Sequence, residues 1–156
     1  MKTNSSRGTV IITGGSSGIG RASAICLSEI GFDVIITWNS TDLKTSEIVK
    51  IIHEKGRFAA HLQLRLDHDD IHEKFKEIDR IRESPIVGLV NNAAINGGRA
   101  HFEQKSLQDW QEVFQVNVFS LVELCKVVFE RMALSKGGNG GSIVNLSSQV
   151  ANFGAN

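Results

Sequence analysis

The chain has 156 residues, enough for one domain with a sizeable core, and nothing in it requires two. Its 17 Lys and Arg balance 17 Asp and Glu spread along the sequence, so no basic stripe argues for nucleic acid and no acidic tail for disorder, and a neutral small-molecule protein is the default. The opening MKTNSSRGTVIIT is too short in apolar residues for a signal peptide and no later run approaches the ~20 of a membrane helix, so the expectation is a cytoplasmic protein with no membrane partner.

In chain order, the first apolar run is Thr9 to Thr13 (TVIIT), followed by a glycine-rich turn and a helical pattern carried by Ile19, Ala22, Cys26, Leu27 and Ile30. A second run, Val34 to Trp38 (VIITW), precedes a helix marked by Leu43, Ile48, Ile51 and Ile52. Phe58 to Asp67 is expected as a further strand. Asp69 to Ile81 is expected as a charged surface helix that turns Ile71, Phe75, Ile78 and Ile81 inward. Ile86 to Asn91 (IVGLVN) and Ser142 to Leu146 (SIVNL) complete five strands. The runs are short, β-branched and continuous rather than alternating, as in parallel strands buried on both faces. Strand and helix alternate, which implies right-handed crossovers and an α/β, doubly wound parallel sheet with ligands at the carboxyl ends of the strands.

The longest helix is predicted over 107–134, because Trp110, Val113, Phe114, Val118, Leu121, Cys125, Val128, Phe129 and Met132 share one stripe. Asn117 lies on that stripe. A buried amide there is either a structural residue that kinks the helix or a site residue facing a cleft. Ser135 to Ser142 (SKGGNGGS) precedes a strand instead of opening a helix, and is therefore a connector. The only cysteines, Cys26 and Cys125, both fall on apolar faces of predicted helices, as expected of reduced core thiols.

Gly14, Gly15, Gly18 and Gly20 follow the first strand and open the first helix, where backbone amides approach a phosphate and the helix dipole favours its charge. A lone loop of this kind can also be an ordinary tight turn. Its spacing, G-x-x-x-G-x-G, resembles the Thr-Gly-x-x-x-Gly-Ile-Gly signature of the classical short-chain dehydrogenase/reductase family, here Thr13 to Gly20. Three further segments resemble the same family: NNAA (Asn91 to Ala94), FQVNVFS around Asn117, and GSIVNLSS ending at Ser148. Asp67 matches the family's aspartate that contacts the adenine amino group. The resemblance covers essentially the whole chain in the right order.

The resemblance implies a Rossmann-like fold and an NAD(P)(H)-dependent oxidoreductase that moves a hydride between the nicotinamide and a small-molecule carbonyl or alcohol, of the 3-oxoacyl or sugar/ketone reductase type. It implies Asn117 and Ser148 as catalytic residues. It implies Gly14, Ser16, Ser17, Gly18, Ile19, Gly20, Asn39, Ser40, Asp67, Asn91 and Ala93 as cofactor contacts, and a homo-oligomer, dimer or tetramer. The family's Tyr-x-x-x-Lys, in which the ammonium lowers the pKa of a phenol near ~10, belongs about a dozen residues beyond Ser148. The 156 residues contain no tyrosine.

The expectation is therefore that residues 1–156 form one NAD(P)-binding Rossmann-like domain, truncated after the fifth strand, the amino-terminal part of a longer reductase. The alternative is a truncated, non-catalytic dinucleotide-binding protein. A chain that stopped there would leave the SIVNL strand as a sheet edge.

At the end of the second strand stand Trp38, Asn39, Ser40 and Thr41, with no carboxylate to repel a 2′-phosphate and three small polar groups to bond it, which favours NADP(H) over NAD(H). Against this, no Arg or Lys stands at Asn39, and Ser17 occupies a position that is basic in many NADP-preferring relatives. Ala94 replaces the last glycine of the asparagine motif, and His68 the small apolar residue that usually follows the adenine aspartate. His68 and His72, with Asp69 and Asp70, lack the converging ligands of a zinc site, so no metal is expected. Arg99, His101 and Glu103 are expected as solvated loop charges, although they fall at the end of the sheet that a substrate could reach.

Overall fold

A computed structural model describes residues 6–40, 43–98 and 101–154, so Thr41 and Arg99 lie outside the described residues. Strands β1 (Thr9–Ile12), β2 (Asp33–Trp38), β3 (Ala59–Gln63), β4 (Ile86–Asn91) and β5 (Ser142–Asn145) form one parallel sheet in the order β3-β2-β1-β4-β5. Ile11 pairs with Ile35 on one side and Leu89 on the other. Helices α1 (Gly18–Glu29) and α2 (Leu43–Glu54) carry the chain outward from β1 to β3. After α3 (Ile71–Ile81), the chain returns to lay β4 against the other side of β1. The strand order thus reverses between β1 and β4, which opens a crevice at their carboxyl ends.

Side chains alternate across the sheet and build a core on each face. Ile11, Ile35, Leu62 and Leu89 meet Phe75 and Ile78 of α3 and Leu124, Val127 and Val128 of the later helix α5 (Ser120–Met132). On the other face, Val10, Ile12, Val34 and Ile36 meet Ala24, Ile48 and Ile52. Each such large side chain, fully buried, contributes about 1.5–3 kcal/mol. Asp70 caps α3 by accepting from the His72 and Glu73 amides, and the inward Ile71, Phe75 and Ile78 follow the expected period, with Ile81 half-buried at its end. Asp79, between Arg131 of α5 and Arg82, ties the two helices: Arg131 donates at 2.6 and 2.9 Å and Arg82 at 3.0 Å. Burial pushes the Asp79 carboxyl up, but these bonds and the two guanidinium charges outweigh it and hold the pKa below its ordinary value.

Four expectations need correction. The strand β5, expected to be buried on both faces, is mostly exposed, because it pairs with β4 alone among the described strands. On α1 the buried residues are Gly20, Ala24 and Ser28, while Ile19 is 65% exposed and Cys26, expected as a core thiol, is exposed. Small residues face inward there because the helix lies close against the phosphate loop and sheet, which leaves Ile25 and Leu27 only partly buried at the flanks of that face and turns Ile19 and Ile30 outward. The predicted helix over 107–134 is α4 (Leu107–Phe114), a π-helical turn (Gln115–Phe119) and α5. Of its expected stripe only Val128 and Met132 are buried, whereas Trp110, Phe114, Val118 and Phe129 are exposed, and the buried face is completed by Leu124 and Val127, which lie off that stripe. The third strand is shorter than expected and stops at Gln63, so Asp67 stands in the turn beyond it.

Candidate active site

The loop from β1 into α1 is the best-anchored part of the crevice. Thr13 Oγ1 accepts from the amides of Asn92 and Ala93 at 3.1 and 3.0 Å. The Asn92 side chain returns two bonds, from Nδ2 to the carbonyls of Thr13 and Gly14 at 2.9 and 3.0 Å. The Gly15 amide donates to the Thr37 carbonyl at 3.1 Å, so β4 and β2 hold the loop from both sides. Gly18 has φ +52° with open space where a Cβ would stand, and Ser17, the N-cap of α1, makes no side-chain cap. The first amides of a 12-residue helix therefore face the crevice without a side-chain cap, an arrangement suited to an anion.

These amides open onto one cavity of about 480 Å³. The loop contributes Gly14, Ser16, Ser17, Gly18 and Ile19 to its lining; the end of β2 contributes Trp38, Asn39 and Ser40. The segment after β3 adds Leu64, Leu66 and Asp67, and Ala93 lines it beyond β4. The turn carrying Asp67 is braced by Asp69, which accepts from the Arg65 amide at 2.8 Å and from the Arg65 guanidinium. Burial pushes the Asp69 carboxyl up; the Arg65 bonds overcome it and keep the pKa below the ordinary value.

Four expected site residues do not line the cavity. Gly20 is a packing residue: a Cβ there would lie 2.6 Å from Asn92 Nδ2 and 2.7 Å from the Gly14 carbonyl. Asn91, the last residue of β4, shares the Leu89 face and is buried against α5. Its Nδ2 donates to Asn145 Oδ1 at 2.8 Å and Cys125 Sγ at 3.4 Å, and its Oδ1 has no partner among the described residues. Asn117 sits in the π-helical turn with both ends of its amide on one peptide: Oδ1 accepts from the Ile95 amide at 2.9 Å and Nδ2 donates to the Ile95 carbonyl at 2.7 Å. Ile95 and Val116 both line the cavity, so Asn117 stands just behind its wall. Ser148 is exposed between β5 and the short helix α6 (Val150–Phe153), its Oγ accepting from the Val150 amide at 3.3 Å.

Asn92, Leu64, Leu66, Ile95 and Glu112 line the cavity without having been singled out from the sequence. Asn92 was legible in principle, because alternation sends Asn91 into the sheet and leaves the residue beyond the strand free to turn to the loop. Glu112 lies four residues before Val116, a spacing that puts both on one helix face. Among the described residues no group of three His, Cys, Asp or Glu converges on a point, and no helix is long and apolar enough to cross a membrane. His72 instead lies 3.4 Å from Glu123.

Residues 8–156 match the sequence model of the family described as short chain dehydrogenase. The chain is 34% identical over 146 residues to the uncharacterized oxidoreductase YgfF of Escherichia coli (strain K12), a match that covers 93% of this chain and 59% of that protein. It is 30% identical to the 3-oxoacyl-(acyl-carrier-protein) reductase FabG of Staphylococcus aureus (strain N315), over 94% of this chain and 58% of that one. Among solved structures, FolM alternative dihydrofolate reductase 1 from Brucella canis, complexed with NADP, superposes with a TM-score of 0.82 at 27% identity, over 96% of this chain and 59% of that one. The chain thus spans about three-fifths of the length of these relatives. The glycine loop, the sheet order and a match that runs almost from end to end place the chain in the short chain dehydrogenase family.

Proposed function

We propose that the cavity binds a nicotinamide dinucleotide, NADP(H) in preference to NAD(H), and that the protein is an oxidoreductase acting on a small-molecule carbonyl or alcohol. The observation that carries this reading is the α1 N-terminus, free of a side-chain cap and open onto a cavity that continues past the ends of β2, β3 and β4. Gly14, Ser16, Ser17 and Gly18 fit the pyrophosphate, with backbone amides as donors. Leu64 and Leu66 fit a planar base as apolar wall, with the Asp67 carboxylate at its edge as acceptor for an exocyclic amine. Asn39 and Ser40 fit the ribose, and no carboxylate stands at those two positions to repel a 2′-phosphate. The NADP bound to the similar FolM structure supports the same reading.

The nicotinamide, when bound, supplies or accepts the hydride. The chain's own contribution is orientation and polarisation. Asn117 fixes the Ile95 peptide and with it the wall beyond β4. The exposed Ser148 hydroxyl is free to donate to a substrate carbonyl oxygen, which stabilises the charge that develops there. Titration of the full chain with NADPH and NADH, read by cofactor fluorescence, is expected to give tighter binding of NADPH. Ser148→Ala should leave that binding within twofold and lower carbonyl turnover by about 10²-fold or more. Tighter NADH binding overturns the cofactor preference. Binding without turnover by the unsubstituted chain favours the non-catalytic dinucleotide-binding alternative.

A further inference from the structure

Two residues of the edge strand hold the end of β2 without reaching the cavity themselves. His61 and Gln63 are two apart on β3 and project from the same face of the sheet. Trp38, half-buried and part of the cavity wall, donates its indole N–H to His61 Nδ1 at 3.1 Å. An indole nitrogen only donates, so Nδ1 is the accepting nitrogen. In the neutral ring Nε2 then carries the proton, and Ser46 Oγ of α2, 3.2 Å away, accepts it. Gln63 Nε2 donates to the Asn39 carbonyl at 2.9 Å. Two successive wall residues, one by its side chain and the next by its main chain, are thus fixed by two neighbours in β3.

We propose that His61 and Gln63 are positioning residues for nucleotide selectivity, holding Trp38 and Asn39 so that the wall at the end of β2 presents an uncharged, preformed edge favouring a ribose that bears a 2′-phosphate. The inference rests on the dinucleotide reading above and deepens it. A phosphate monoester carries close to two negative charges, and a neutral wall receives it without repulsion, with the Asn39 and Ser40 side chains as donors on a held backbone. Holding the Trp38 ring and the Asn39 main chain in place before binding lowers the ordering cost that binding would otherwise carry. Asn39 and Ser40 are exposed and have few restraints of their own, so the restraint must come from beside them, and β3 supplies it.

The probes are adenosine 2′,5′-bisphosphate and adenosine 5′-monophosphate, which differ only in the 2′-phosphate, titrated calorimetrically into the full chain. Trp38 emission is followed in a Trp110→Phe background. The unsubstituted protein is expected to bind the bisphosphate more tightly. His61→Phe should lower the ratio of the two affinities about fivefold, the scale of one hydrogen bond, and shift Trp38 emission. His61→Asn, whose Oδ1 accepts where Nδ1 did, should restore both. Gln63→Leu should lower the ratio without moving the emission, and it tests the same inference if His61→Phe does not fold. An unchanged ratio in folded His61→Phe and Gln63→Leu, or an equal loss of both affinities, overturns the inference and leaves the dinucleotide reading intact. Binding of neither nucleotide by the unsubstituted protein removes that reading and this inference with it.

Discussion

The phosphate loop and the segment around Ser148, two ends of the candidate site of which only the first lines the cavity, are built differently. Around the phosphate loop, backbone groups and small residues are locked from β2 and β4, and β1 is buried along its whole length. Around Ser148, β5 is mostly exposed, Val144 included, and among the described residues the serine hydroxyl bonds only the amide two residues on. The loop's geometry is thus held from two neighbouring strands, whereas the Ser148 hydroxyl is held only from within its own segment. Substitution should be punished by misfolding at the first end and, on the role proposed for Ser148, by loss of turnover at the second.

The largest effect is expected from Gly20→Val, which brings side-chain atoms against the Gly14 carbonyl and Gly15 Cα, backbone that cannot yield. A loss of about 3 kcal/mol and of measurable nucleotide binding should follow, read by thermal denaturation and calorimetry. Retained binding with an unchanged Tm would erase the contrast between the two ends. Asn92→Ala should cost about 1–3 kcal/mol, since it removes both side-chain bonds to the loop carbonyls, and weaken nucleotide binding in step. The smallest effect sharpens the comparison from outside the crevice. The folded pKa of Asp79 lies below the unfolded value near ~3.9, so its contribution is complete above that value and lost as pH falls through the folded pKa. At neutral pH Asp79→Asn should lower stability by about 1 kcal/mol, the pair being partly exposed, and flatten the acid limb of the stability profile below about pH 4. Nucleotide affinity should not change.

Much of the sheet was legible because its strands are continuous β-branched runs, a pattern that matches the burial of β1, β2 and β4 but not that of β5, which is mostly exposed. The glycine loop was legible for a similar reason: strand, turn and helix context restricts what its spacing can mean. What escaped was orientation. Gly20, Ala24 and Ser28 face inward on α1, but small residues carry little hydrophobic signal, so the stripe was read from its larger neighbours. Asn91 and Asn92 are chemically identical, and only the point at which β4 ends separates the structural residue from the one that lines the cavity. Nothing in the run Gln115–Phe119 announces a π-helical turn, because hydrogen-bond register in a helix leaves no mark on composition.

That turn has a consequence beyond its hydrogen bonds. A helix advances about 100° per residue, so one residue too many for α-helical register is a phase shift, and α4 and α5 are two rods out of step by that angle. The stripe read from the sequence is broken in space, with Trp110 and Phe114 exposed on the first rod and, on the second, Phe129 exposed beside the buried Val128. The shift sets Asn117 at the point of slippage, facing the Ile95 peptide. Deleting one residue between Gln115 and Phe119 would bring the rods back into phase and swing that amide away, however conservative the residues that remained. Length, more than identity, is the property this segment has to keep.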